Sequence, residues 1–228
     1  MFKKLSNIGD CGIVCDFGDE VNREINSNVI KLFHHVKKEV FKGNLQGILN
    51  YTPSYNKLII NFDLEKINSS KIISFLNSVD FSKLNLSLNR KKWILPICYD
   101  FEMELESMSK KLKINKDEII NIHLNTDFFV YMIGFIPGHP FMGDLNSKLF
   151  LKRLKTPRVK IPPGSVGIVE KFCNINPYES PGGWNIIGRT PTKLFNKRDE
   201  ANPCLLSPGD SVKFKLISKE EFKKLNNE

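Results

Sequence analysis

The sequence predicts an α+β protein of two domains, the first alternating strands and helices, the second mostly strand. Three observations carry this expectation. Residues 12–99 show strand-like and helix-like apolar periods in the order βαββαβ, the ferredoxin-like split unit. Residues 82–92 are polar and rich in Asn and Lys, which breaks those periods and marks a boundary. Beyond residue 128 the chain becomes short apolar runs separated by Pro and Gly, as in a β-rich barrel or sandwich. The expected domains are therefore residues 1–88 and 89–228. A fold-level likeness implies no function.

Taken in order, residues 12–17 read as a strand. From 22 to 40, Ile25, Val29, Leu32, Phe33, Val36 and Val40 recur at the period of an amphipathic helix, and Gly43 marks its end. Residues 47–51 and 58–62 read as strands joined by a turn at 53–56. A second helix over 69–79 gathers Ile72, Phe75, Leu76 and Val79 on one face. Residues 92–99 form a strand in which Pro96 indicates an edge; the sequence leaves open whether it closes the first domain or opens the second. Helices follow at 102–112 and 116–123, the latter with Asn115 as cap and Glu118 three residues on. Residues 128–135 are an apolar strand. Pro208-Gly209-Asp210 is a turn before a strand at 211–217, and 219–225 reads as a polar helix.

The 228 residues suffice for a sizeable core. The net charge of +9 comes mostly from scattered Lys, with one local cluster at Lys152-Arg153-Leu154-Lys155, Arg158 and Lys160. A solvated Lys-rich surface accounts for it first, an acidic or phosphorylated ligand second, and no nucleic-acid motif accompanies it. The five Cys are odd in number and lack a Cys-x-x-Cys pair, which argues against a disulfide framework and a zinc ribbon. No signal peptide or membrane span is expected, so the reading is cytoplasmic with free thiols. His34 and His35 point to different parts of their helix and are poor joint metal ligands. They and His123 are assigned to surface or packing, and no metal site is expected from protein groups alone.

Candidate chemistry concentrates in three Pro/Gly-punctuated segments, residues 134–141, 158–166 and 176–191, each joined to an apolar strand. That is how a rigid scaffold presents a site. Gly183-x-x-x-x-Gly188-Arg189-Thr190 differs from a P-loop by Arg in place of Lys. Pro191 disfavours helix at Thr190, however, and the interior is strand material, so only anion binding by Arg189 and Thr190 survives. Ser165, in Pro163-Gly164-Ser165-Val166-Gly167, is one residue short of a nucleophile elbow. It leads into a strand and is read as a turn residue or ligand hydrogen-bonder. His139 is either a general acid–base or a structural loop residue, with Asp144 near enough in sequence to orient it. Glu179 and Asp210 are further loop carboxylates, Asp210 with a turn-forming role. Tyr178 and Phe141 are open between cleft wall and core, and Trp184 is expected in the core.

These segments carry a resemblance. Gly134-Phe135-Ile136-Pro137-Gly138-His139-Pro140, then Pro157-Arg158 with Ile161-Pro162-Pro163-Gly164-Ser165-Val166, then Ser180-Pro181-Gly182-Gly183-Trp184 and Gly188-Arg189-Thr190-Pro191 resemble the family of 5-oxoprolinase B-subunits. That family is also called kinase A inhibitor (KipI) or allophanate hydrolase subunit 1. Asp16 to Glu20 and Leu205 to Phe214 fit as well, so the likeness spans almost the whole chain. It implies a cyclophilin-like second domain and a role in an ATP-dependent 5-oxoprolinase that opens 5-oxo-L-proline to L-glutamate. The B- and C-subunits would activate the lactam with ATP and Mg2+, and the A-subunit would open the ring; the chain is expected to be inactive alone. The implied catalytic residues are His139, as proton shuttle, and Arg189. Arg158 and Arg189 would contact phosphate or carboxylate, and Gly164, Ser165, Gly182 and Gly183 would offer backbone donors. Pro137, Gly138, Tyr178, Ser180 and Thr190 complete the implied site. The family's other names imply two alternatives, an inhibitor of a sensor histidine kinase and a carboxyltransferase-type role on urea-derived substrates. The chain departs from the family at Asp100-Phe101-Glu102-Met103-Glu104, where many members have a Gly-rich run.

Overall fold

The computed structural model describes residues 2–84, 90–101 and 103–226. The chain forms two units, Met1–Asn89 and Arg90–Glu228; within the expected linker, residues 85–89 lie outside the described residues. The first unit contains β1 (Lys4–Ile8), β2 (Gly12–Asp16), α1 (Arg23–Phe41), β3 (Ile48–Pro53), β4 (Lys57–Phe62) and α2 (Ser69–Asn77). Its sheet runs β1-β2-β4-β3, antiparallel throughout. Asn22 and Asn68 start the helices, their side chains accepting from the amides of Ile25 and Lys71. The helical period then does what the sequence expects. Val29, Leu32 and Val36 of α1 and Ile72 and Leu76 of α2 are buried with Ile13, Cys15, Leu58 and Ile60 of the sheet. Each such side chain contributes roughly 1.5–3 kcal/mol relative to exposure.

The order of this unit is ββαββα, not the expected βαββαβ. The strand β1 flanks β2 on the side away from β4, and the strand expected after α2 belongs to the second unit. The sequence Lys4-Leu5-Ser6-Asn7-Ile8 hides β1 because it is an edge strand without a buried face. Only pairing with β2 across the Gly9-Asp10 turn makes it a strand, and Gly9 supplies the positive φ (56°) that the turn needs.

The second unit comprises β5 (Lys92–Ile97), α3 (Leu105–Leu112), α4 (Lys116–Leu124), β6 (Phe128–Ile133), β7 (Pro140–Gly143), β8 (Arg158–Ile161), β9 (Ser165–Val169), β10 (Phe172–Ile175), β11 (Ser180–Gly182), β12 (Asn185–Arg189), β13 (Ser211–Leu216) and α5 (Lys219–Asn226). Seven strands form one sheet, β12-β9-β10-β7-β6-β13-β5, while β11 and β8 make a separate ribbon. Among the described strands, only β13 and β5 pair in parallel. The two end strands meet: Cys98 and Arg189 exchange two backbone hydrogen bonds of 2.8 and 2.9 Å, so the sheet is nearly closed. Gly188 permits this seam, because a Cβ there would lie 2.9 Å from the Cys98 carbonyl oxygen. Pro96 sits on β5, an end strand, where a missing N–H is tolerated.

Inside this barrel-like sheet, Ile97, Phe128, Val130, Met142, Val166, Ile168, Cys173, Ile187 and Val212 form the core with Leu105, Met108 and Ile119 of the helices. His123 belongs to it, with its Nδ1 2.8 Å from the Tyr99 hydroxyl and its ring stacked on Phe214. The turn carboxylate Asp210 is buried and fully used. It accepts from the amides of Lys91 and Ser207 and from the Trp93 indole N–H at 2.9–3.0 Å, and so fixes where β5 and β13 begin. Both tryptophans, Trp93 and Trp184, lie in this unit, so their fluorescence reports its unfolding alone. Asp210→Ala is expected to lower the urea unfolding free energy read this way by roughly 3 kcal/mol, because three donors lose a charged acceptor.

Candidate functional site

Three segments converge on a cavity of about 210 Å³ in the second unit. The first is a tight turn in which the His139 amide donates to the Ile136 carbonyl and the Gly134 amide to the His139 carbonyl. Gly138 completes the turn at φ 75°, packed where a Cβ would meet Phe195 at 2.6 Å, and His139 is delivered just ahead of β7. The second is β10, which contributes Asn174 and, past its end, Asn176. The third is the stretch Pro181–Trp184 leading into β12. Phe135, Phe141 and Trp184 form an aromatic wall, with Phe141 and Trp184 ring centroids 6.0 Å apart. Arg153 and Ile161 complete the lining.

The polar floor is short of partners. His139 is 2% exposed and Asn174 4%. The Asn174 amide Nδ2 lies 3.2 Å from His139 Nε2. With the amide so oriented, Nε2 accepts and the neutral imidazole carries its proton on Nδ1. His139 Nδ1 and Asn174 Oδ1 are then buried without a hydrogen-bond partner. Such groups are rare in folded proteins and need an explanation. Burial also pushes the His139 pKa down to about 4, so the ring is neutral at physiological pH.

Arg153 is the cation on the cavity lining. Its segment is clamped from two sides: the Leu154 amide donates to the Gly183 carbonyl at 2.8 Å, and the Asn185 side chain donates to the Lys152 carbonyl at 3.0 Å. Gly183 lets the arginine stem lie flat on the chain, since a Cβ there would meet Arg153 Nε at 2.7 Å. Gly182 presses in the same way against Ile161.

Of the residues singled out in the sequence, His139, Phe141, Gly182, Gly183 and Trp184 line the cavity. Pro137 and Gly138 shape the turn that carries His139, and Ser180 stands one step behind, its hydroxyl 3.2 Å from the Asn176 amide. The others are engaged elsewhere. Arg158 pairs with the buried Glu104, whose other oxygen accepts from the Ile186 amide. Arg189 lies at the seam, 4.8 and 5.2 Å from the Phe101 and Phe222 ring centroids, and donates to the Pro163 carbonyl. Gly164, at φ 76°, gives its amide to Asn176 and its carbonyl to Thr190, and Ser165 bonds the Pro162 carbonyl. The Thr190 hydroxyl bonds Thr192, and Tyr178 is exposed against Phe195. Asp144 accepts from Tyr131, not from His139. Trp184, expected in the core, is half-buried on the cavity wall.

Sequence reading alone misses Arg153, Asn174 and Asn176 as site residues. The basic cluster around Arg153 is visible, but nothing local tells which of its cations faces a cavity. Asn174 sits in an apolar strand, and an amide among apolar neighbours is the available signal. His34 and His35 line an open groove of about 520 Å³ in the first unit, together with Lys31, Lys38, Asp80 and Lys83. Among the described residues, no group of three or more His, Cys, Asp or Glu is placed to hold a metal ion.

Two outcomes follow from this geometry. Burial also lowers the His123 pKa, to about 3. Both histidines are therefore neutral in the folded unit but protonate near 6.5 when unfolded. The unfolded state binds more protons below that pH, so stability is full above 6.5 and falls as pH drops toward 4. The slope approaches roughly 1.4 kcal/mol per pH unit for each histidine. Urea titrations from pH 7 to 5 are expected to show this slope, reduced by about half in His139→Gln. Arg158→Ala, which strands the Glu104 carboxylate, is expected to destabilise by roughly 3 kcal/mol. In the same assay Arg158→Ala combined with Glu104→Gln regains part of the loss.

Comparison with known proteins agrees with the sequence resemblance. Residues 3–206 match the family model described as carboxyltransferase domain, subdomain C and D. The chain is 32% identical over 232 residues to the 5-oxoprolinase B-subunit of Bacillus subtilis (strain 168), covering 96% of this chain and 95% of that protein. It is 24% identical over 247 residues to urea amidolyase of Lachancea kluyveri, covering 94% of this chain and 13% of that one. Among solved structures, the crystal structure of TTHA0988 superposes with a TM-score of 0.78 at 25% identity, over 90% of this chain and 40% of its own.

Proposed function

The chain belongs to the carboxyltransferase subdomain C and D family and is similar to a 5-oxoprolinase B-subunit over nearly its whole length, and on that premise we propose that it serves as the B-subunit of an ATP-dependent 5-oxoprolinase. The observation that carries the reading is that end-to-end match, and the cavity supports it. At about 210 Å³ the cavity falls below the roughly 300–1,000 Å³ of ordinary ligand sites, which suits a small acid better than a nucleotide. In this reading the second unit is a cyclophilin-like barrel that holds 5-oxo-L-proline. The first unit keeps a ferredoxin-like split core, β2-α1-β3 with β4 between the two strands.

The chemistry requires activation because a five-membered lactam is unstrained and resists hydrolysis. Transfer of the γ-phosphoryl group of ATP to its carbonyl oxygen, with ADP leaving and the lactam N–H proton lost, would give a reactive phosphoimidate, and that step needs positive charge at the phosphoryl oxygens. Neither Arg158 nor Arg189 is free for that work, the first being paired with Glu104 and the second enclosed by Phe101 and Phe222. ATP and its Mg2+ are therefore assigned to a site that the C-subunit helps to form, and ring opening is assigned to the A-subunit. His139, neutral at pH 7, acts as a hydrogen-bond donor in this scheme, not as the proton shuttle that its loop position suggests. No helix among the described residues is long and apolar enough to cross a membrane, and the proposed setting is the cytoplasm.

The match to urea amidolyase favours one second reading, a carboxyltransferase-type role on urea-derived substrates. A kinase-inhibitor role has no comparable observation behind it. ADP release by the chain mixed with its A- and C-subunits separates these. The proposal expects release that needs both this chain and 5-oxo-L-proline, with glutamate formed in step. A folded, associated mixture that stays silent with 5-oxo-L-proline contradicts it.

A further inference from the structure

We infer that the cavity of the second unit selects a carboxylated amide: Arg153 takes the carboxylate, His139 Nδ1–H donates to the amide carbonyl, and Asn174 Oδ1 accepts the amide N–H. The inference rests on the reading of this cavity as the substrate's and adds the residues that do the selecting.

The chemistry follows from what the floor leaves unmade. His139 and Asn174 bond each other once, through Nε2 and Nδ2. Two atoms remain, His139 Nδ1 as a donor and Asn174 Oδ1 as an acceptor, both buried and without a partner. A carboxylate satisfies the donor but faces the Asn174 oxygen as one acceptor facing another. An ammonium does the reverse and fails at His139. An amide carries one donor and one acceptor, and so satisfies both. The wall of Phe135, Phe141 and Trp184 offers apolar surface for the rest of a small molecule. Among the described residues of the lining, Arg153 supplies the only formal charge, held there by the Leu154–Gly183 hydrogen bond and by the missing side chain at Gly183. A guanidinium forks onto a carboxylate with two parallel bonds. Cyclic lactam acids and open-chain ureido acids share this pattern.

The test is calorimetric titration of the full chain with four ligands: 5-oxo-L-proline, N-carbamoylglycine, 2-pyrrolidinone, which lacks the carboxylate, and the lactone acid with a ring oxygen in place of the lactam N–H. The wild type is expected to bind one of the two acids, the lactam or the ureido form identifying the source. It should prefer 5-oxo-L-proline over 2-pyrrolidinone, and over the lactone acid, by at least about tenfold each if the lactam is the one bound. Arg153→Met, at an exposed position, should abolish the first preference and keep the second, and Gly183→Ala should reproduce it by displacing the arginine. Absence of binding by both acids at millimolar concentration overturns the inference, as does an unchanged carboxylate preference in Arg153→Met. ADP release that needs 5-oxo-L-proline while this chain binds neither acid sinks the inference and leaves the proposed function intact. The stated binding pattern without ADP release does the opposite.

Discussion

The second unit depends on one backbone bridge. A seven-stranded sheet with two open ends would leave β12 and β5 as unpaired edges, and Cys98 and Arg189 join them with two hydrogen bonds. The bridge needs a glycine beside it, at Gly188, and a cover over it. Phe101, Phe222 and Ile217 supply the cover, packed with Cys98, and the Arg189 guanidinium lies against both rings. Closing the sheet here fixes β12 beside β9, whose other neighbour is β10, and the residues leading into β12 help to wall the cavity. A residue that looks catalytic in the sequence thus holds the frame in which the site is built.

Charge in this unit is sorted by how it is compensated. Asp210 is buried under three donors, and Glu104 is buried against Arg158 and a backbone amide. Both are committed to the fold. At the cavity the pattern reverses: the buried His139 and Asn174 are neutral and incompletely paired, and among the described lining residues the one cation, Arg153, is exposed. Burial keeps His139 neutral, which preserves its Nδ1–H as a donor across the physiological range. A site of this kind favours an uncharged polar group inside and an anionic group at its mouth.

Much of the fold is legible in the sequence because it rests on periodicity. The α1 and α2 faces, the Asn115 cap and the turn at Asp210 all follow from local patterns that the structure uses as written. The exceptions share a cause. The strand β1 has no buried face, so only its partner reveals it, and the strand at 92–97 pairs in parallel with β13, more than a hundred residues later. Of the three Pro/Gly segments, the first and third bring His139, Gly182 and Gly183 to the cavity, and the second brings Ile161 alone. The roles of Arg158 and Arg189 are not legible, because each depends on a partner distant in sequence: Glu104 for one, Phe222 for the other. Arg153 and Asn174 are hidden for the same reason, since a cavity is a property of elements brought together.

In the inferred site His139 and Asn174 form a neutral hydrogen-bonding pair that an amide completes. The most direct measurement is nitrogen-15 NMR of the His139 imidazole against pH, with and without 5-oxo-L-proline. The expected result is a neutral ring protonated on Nδ1 down to pH 5, whose Nδ1 proton moves downfield when the ligand is added. A ring that titrates near 6.5, or one whose Nδ1 signal ignores a bound ligand, would contradict it.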